Sequence, residues 1–201
     1  SSQRVTPTVP YLKPQLTVGT VVHIDQGEID MPVQRLNHAV LYVRDVNRSV
    51  AFYSNVLGFR QVMGMGGAAF LQAEGSKNDH DLGLFEIGSA AAASGAGRTT
   101  VGLYHLAWEV DTLEELQATA TRLADAGALV GASDHSTTKA LYAVDPDGLE
   151  FEVSWLVPAD RIDDEVRAGR TRIGPLDIDR EIARYGATTR GGVGVSHLAP
   201  A

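Results

Sequence analysis

Two stretches of the chain read alike: Leu36-Asn-His-Ala-Val-Leu-Tyr-Val43 and Leu103-Tyr-His-Leu-Ala-Trp-Glu-Val110. Each is an apolar-rich run of strand length with a histidine two places after its opening leucine, and a repeat of this kind is read before any motif. After the first, Asp45 starts a helical pattern in Val46, Val50, Tyr53, Val56 and Leu57, closed by Gly58. After the second, Asp111-Thr112 caps a helix with Leu113, Leu116, Ala120, Leu123 and Ala124 facing inward, closed by Gly127. Three strand-length runs follow each helix, at residues 59–65, 68–73 and 81–87 in the first copy and 129–133, 140–144 and 149–156 in the second. The pattern predicts an α+β chain of two tandem βαβββ modules, whose curled sheets, set side by side, form a cup around a metal site.

Around this repeat the composition changes. Residues 1–34 carry Pro7, Pro10, Pro14 and Pro32 and are read as an arm, with residues 16–24 as its one extended strand. The modules are expected at 35–88 and 101–157, joined at 89–100 by Gly, Ala, Ser and Thr, residues too small to anchor a core. The tail, 158–201, begins with a charged run and contains a helical spacing at Ile178, Ile182 and Tyr185 that predicts a short docked helix over 176–185.

At 201 residues, 44% hydrophobic and 21% charged, the chain is one ordinary globular protein. Its net charge of −8 offers no general field for a polyanionic nucleic acid or an anionic membrane, so a small-molecule partner is expected. The absence of cysteine excludes disulfides, thiolate zinc sites and cysteine nucleophiles, so any metal must sit on histidine and carboxylate. No run of eighteen apolar residues occurs and the first residues lack a basic and an apolar signal region, from which a cytoplasmic location is expected.

The histidines His38 and His105 occupy matching places on the two opening strands, which points to a shared site. On the last strand Asp145-Pro-Asp-Gly148 makes a tight turn, after which Glu150 and Glu152 share one face and Phe151 and Val153 the other. Two imidazoles from separate modules and one carboxylate make a three-ligand facial set that leaves positions open for a chelating substrate and O₂.

Four pieces, LNHAVLYVRDVNRSVAFYSNVLGF from Leu36, HDLGLF from His80, LYHLAWEV from Leu103 and DHSTTKALYAVDPDGLEFEVSW from Asp134, resemble the vicinal oxygen chelate superfamily. That superfamily includes glyoxalase I, the bleomycin and fosfomycin resistance proteins and the extradiol dioxygenases. The resemblance implies a metal on His38, His105 and Glu152, Fe(II) first and Mn, Zn, Ni or Co as alternatives. It further implies an extradiol ring-cleaving dioxygenase for a small aromatic diol and O₂. In that reading Tyr142, ten residues before Glu152, holds a substrate oxygen, and His135 moves the proton. The rival readings are a glyoxalase I-type isomerase, which needs a fourth ligand, and a non-catalytic protein that sequesters a drug.

For the fourth ligand, Glu86 is the nearby candidate. The interval from His38 to Glu86 is 48 residues against 47 from His105 to Glu152, but counting from the turn at 77–79 puts the equivalent of Glu152 near Gly83 or Leu84. The turn is the better guide because a hairpin fixes register, so Glu86 is expected outside the metal site. His80 is read as a pocket border or a turn cap, His23 and His197 as solvated, Tyr104 and Trp108 as packing residues, and the acidic run 160–165 as a solvated helix face. A homo-oligomer is expected.

Overall fold

In module 1, β1 (Ala39–Val43) runs into α1 (Val46–Leu57), followed by β2 (Arg60–Met65), β3 (Ala68–Gln72) and β4 (Leu82–Glu86). These positions come from a computed structural model, which describes Val33 and residues 35–192 apart from Arg98; the expected arm strand, His23 and His197 lie outside the described residues. Asp45 caps α1 by accepting from the Arg48 N–H, and Gly58, at φ +74°, turns the chain out of it. The sheet order is β1-β4-β3-β2, with β1 parallel to β4. Parity assigns the faces: Leu41, Val43, Ala69, Leu71, Leu82 and Leu84 are buried beneath the helix, while Val40, Tyr42, Met63, Met65 and Phe85 stand on the other face, exposed.

Module 2 repeats the plan with β5 (Leu106–Glu109), α2 (Leu113–Asp125), β6 (Leu129–Asp134), β7 (Thr138–Val144) and β8 (Glu150–Leu156). Thr112 and Glu115 form a reciprocal capping box at the start of α2, whose Leu113, Leu116, Thr119 and Leu123 are buried. The order β5-β8-β7-β6 copies module 1, down to a register shift in the second strand, between Gln61 and Met63 there and between Leu129 and Gly131 here. The two sheets are mixed and open. The modules touch through α1 and α2, where Arg122 Nε donates to the Val56 carbonyl at 2.8 Å, and where Arg44 at the end of β1 pairs with Asp147 at 2.8 Å.

The tail has more structure than its spacing shows. After a 3₁₀ turn, Ala159–Arg161, come α3 (Asp164–Gly169), a two-residue strand β9 (Gly174–Pro175) and α4 (Ile178–Tyr185). The acidic run is not a plain solvated face, because Asp163 caps α3 by accepting from the Val166 N–H at 2.9 Å. The strand β9 adds a fifth strand beside β6, and Ile162, Val166 and Tyr185 join the core around Trp155. Among the described residues, no helix is long and apolar enough to cross a membrane.

Candidate metal and proton-transfer site

The open face of module 2 gathers polar side chains from β6, β7 and β8 and from the residue that leads into β5. His105 stands one residue before β5, and the parallel pairing sets Ala107 beside Glu152 on β8. His105 Nε2 then lies 3.4 Å from Glu152 Oε2. The antiparallel pairing sets Tyr142 beside Glu152, and the shift in β6 places Gly131 opposite Tyr142. A glycine there leaves the space in front of the phenol open.

Across that space comes His135, whose Nε2 is 2.8 Å from the Tyr142 hydroxyl and 2.8 Å from Ser133 Oγ. Burial pushes the Tyr142 phenol above its usual range; the Ser133 hydrogen bond lowers it in part, and the Glu152 carboxylate raises it again. Tyr142 is thus a protonated donor at neutral pH. The His105 ring lies against Tyr104 at 4.6 Å and faces Tyr142 at 6.1 Å, and its buried Nδ1 has no hydrogen-bond partner.

Two donors bonded to one divalent ion at about 2.1 Å each stand about 3.0–3.4 Å apart, and the His105–Glu152 spacing of 3.4 Å falls in that range. The imidazole and carboxylate donors also suit Fe(II), Mn, Co, Ni or Zn. His38 is elsewhere: it accompanies His80, with ring centroids 4.7 Å apart, and contacts the Asn37 side chain at 2.8 Å. Among the described residues no three His, Cys, Asp or Glu side chains are gathered for one ion. One chain therefore assembles two of the three ligands read from sequence, not the third.

The sequence profile described as the Glyoxalase/Bleomycin resistance protein/Dioxygenase superfamily matches residues 35–153. The chain belongs to this superfamily. A relative in Bacillus subtilis (strain 168), named catechol-2,3-dioxygenase, is 34% identical over 118 residues, which are 59% of this chain and 40% of that protein. The chain thus aligns with well under half the length of that curated relative. The superfamily fold recurs in a glyoxylase/bleomycin resistance protein/dioxygenase domain from Frankia sp. EAN1pec, at 24% identity and TM-score 0.52 over 61% of this chain and 92% of that one. A glyoxalase/dioxygenase from Nostoc punctiforme gives 21% identity and TM-score 0.50 over 69% and 97%.

Within the superfamily fold, strand pairing decides between the two countings for Glu86. Val40 pairs with Gly83 as Ala107 pairs with Glu152, so Gly83 is the equivalent of Glu152, as the turn predicts and the interval does not. Phe70 pairs with Gly83 as Tyr142 pairs with Glu152. Module 1 therefore keeps the histidine and has phenylalanine and glycine in place of tyrosine and glutamate. Glu86, three residues on, belongs to the helix-side face, where its Oε2 accepts from the Val46 N–H at 3.0 Å. His80 contacts Asp79 at 2.9 Å and packs on Phe70, so it is a turn residue beside His38. Tyr104, read as a packing residue, lies over the His105 ring instead. Ser133 was missed by sequence reasoning, although parity along β6 sets it on the face of Gly131.

Proposed function

We propose that the chain is a metal-dependent extradiol dioxygenase that opens a catechol-like ring beside its two hydroxyls, with both atoms of O₂ entering the product. The observation that carries this reading is the hydrogen-bonded His135–Tyr142 pair beside His105 and Glu152 on one open sheet face. His38, His105 and Glu152 would hold the metal, Fe(II) first, which supplies a Lewis acid and an electron path between diol and O₂. Tyr142, held protonated, donates to a diol oxygen. His135 Nε2 receives the proton that the second hydroxyl loses and returns one as the ring opens, with Ser133 orienting the imidazole. The relative named catechol-2,3-dioxygenase supports the choice. A glyoxalase-type fourth ligand has no residue to come from, since Gly83 stands where the carboxylate belongs.

His38 comes from a second copy in this reading. The face of module 1 that carries it is apolar and open, with Tyr42 71% and Met65 59% exposed, and the face of module 2 opposite in kind is polar and lacks one ligand. Pairing them between two copies buries the apolar face and completes two identical sites.

The test is anaerobic loading with Fe(II), against Mn, Ni, Co and Zn, followed by O₂ uptake over a series of catechols. Iron-dependent uptake with one O₂ per ring opened is the expected result; uptake with none of the metals sinks the reading. Shared sites are tested by mixing His38→Ala and His105→Ala copies, each inactive alone. Random pairing makes half the dimers mixed with one intact site each, so about a quarter of native activity returns. No recovery means that each site is built from one chain.

A further inference from the structure

His135 stands in the turn between β6 and β7, where its N–H donates to the Thr138 carbonyl at 2.9 Å and its carbonyl accepts from the Thr137 N–H at 2.9 Å. Ser136, next to it, has φ +69°, the only positive φ at a non-glycine residue among those described. That conformation is disfavoured for serine and persists only where neighbours impose it. The equivalent turn of module 1, Gly66-Gly67, reverses the chain with two glycines, Gly67 at φ +81°, a conformation glycine adopts without strain. Module 2 has instead a longer turn with a histidine, a strained serine and no glycine.

The tail adds a constraint to those of the module itself. Ser136 Oγ donates to the Val166 carbonyl of α3 at 2.6 Å, and the Ser136 N–H donates to Asp134 Oδ1 at 2.7 Å. Gly169 lies so close that a Cβ there would stand 2.6 Å from Ser136 Oγ. The strand β9 pairs with Ser133 and Asp134, the two residues that lead into the turn. Beneath it Lys139 Nζ reaches Asp134 at 2.6 Å and Glu181 of α4 at 2.9 Å, with Lys139 2% and Glu181 0% exposed. Thus α3, β9 and α4 all converge on the residues that flank His135, and a buried charge pair locks the last of them to β7.

We infer that the C-terminal segment 163–185 is a positioning brace for His135, acting through Ser136 as the positioning residue. The inference rests on the proton-transfer reading of His135 for its purpose, not for its geometry. Held this way, the imidazole keeps its contact with the Tyr142 hydroxyl before substrate arrives, and a displacement of about 1 Å at a reacting group slows turnover by roughly 10²-fold.

The experiment uses the full chain with Ser136→Gly, which removes the backbone strain and the hydroxyl together, and Gly169→Ala, which drives Ser136 off Val166. In the metal-free protein, the ¹H–¹⁵N imidazole spectrum, with His135 assigned by its loss in His135→Gln, reports the Nε2 hydrogen bond directly. Both variants should move that signal toward the position of a solvated histidine. After iron loading, Ser136→Gly should lower kcat roughly 10- to 100-fold with KM, metal content and Tm little changed. A merely structural Ser136 would instead lower Tm and leave kcat per folded molecule intact. An unmoved His135 signal in both variants overturns the brace whatever the turnover. A displaced signal with unchanged kcat upholds the brace and overturns His135 as the proton carrier.

Discussion

Asp145 opens the Asp145-Pro-Asp-Gly148 turn and thereby sets where β8 starts and which way Glu152 faces. Its Oδ1 accepts from the Asp147 N–H at 2.8 Å and the Leu149 N–H at 2.9 Å, and its Oδ2 accepts from the Tyr53 hydroxyl at 3.2 Å. The residue is only 4% exposed. Burial raises its carboxyl above the ordinary value of 3.8, against the two backbone hydrogen bonds and the Tyr53 bond, which lower it; Asp147 pushes it up further. Asp145→Ala removes three hydrogen bonds and leaves their donors without an acceptor, a loss of about 3–4.5 kcal/mol at roughly 1–1.5 kcal/mol each. Asp145→Asn keeps the Oδ1 acceptor for both N–H groups and sets an amide against the Tyr53 oxygen, without a buried charge.

Between pH 3.8 and the raised folded value, the folded chain holds a proton that the unfolded chain has lost. Native stability therefore falls as pH rises through that window, and Asp145→Asn is free of this loss. Urea unfolding from pH 4 to pH 7 should show Asp145→Asn within about 1 kcal/mol of native at neutral pH, or above it, with any gain shrinking toward acid. An Asp145→Asn protein as unstable as Asp145→Ala at pH 7 refutes the argument, because the negative charge itself would then hold the turn.

Other outcomes follow from the same geometry. His105→Ala should lose the metal in elemental analysis, and stoichiometric metal in that variant removes His105 as a ligand. Glu86→Ala should keep full metal and cost about 0.3–1 kcal/mol of stability through the N-terminus of α1; metal loss would return Glu86 to the site. His135→Gln should stay folded and iron-loaded while turnover drops roughly 10²–10⁴-fold, and normal uptake excludes it from proton transfer. Tyr142→Phe should cost about 1–3 kcal/mol in kcat/KM, the value of one hydrogen bond to substrate, with Tm nearly constant because the ring still packs.

What the sequence determined by itself was local and periodic. The doubled strand with its histidine, the helix caps at Asp45 and Thr112 and the Asp145 turn each depend on residues a few places apart, so both βαβββ modules and the face of Glu152 were legible. The turn-based count, which puts the equivalent of Glu152 near Gly83 or Leu84, meets the strand pairing at Gly83 for the same reason, since pairing along a hairpin leaves no freedom of register.

Only the tertiary structure decided the rest. The site faces of His38 and His105 depend on how two modules orient, and a repeat in sequence carries no information about that orientation; the fold sends His38 to His80 and His105 to Glu152. The tail's role was hidden because β9 is two residues long and its pairing with Ser133 and Asp134 joins residues about forty positions apart. Such a contact follows from the shape of the packed core around Trp155, Val166 and Tyr185, to which no local pattern points.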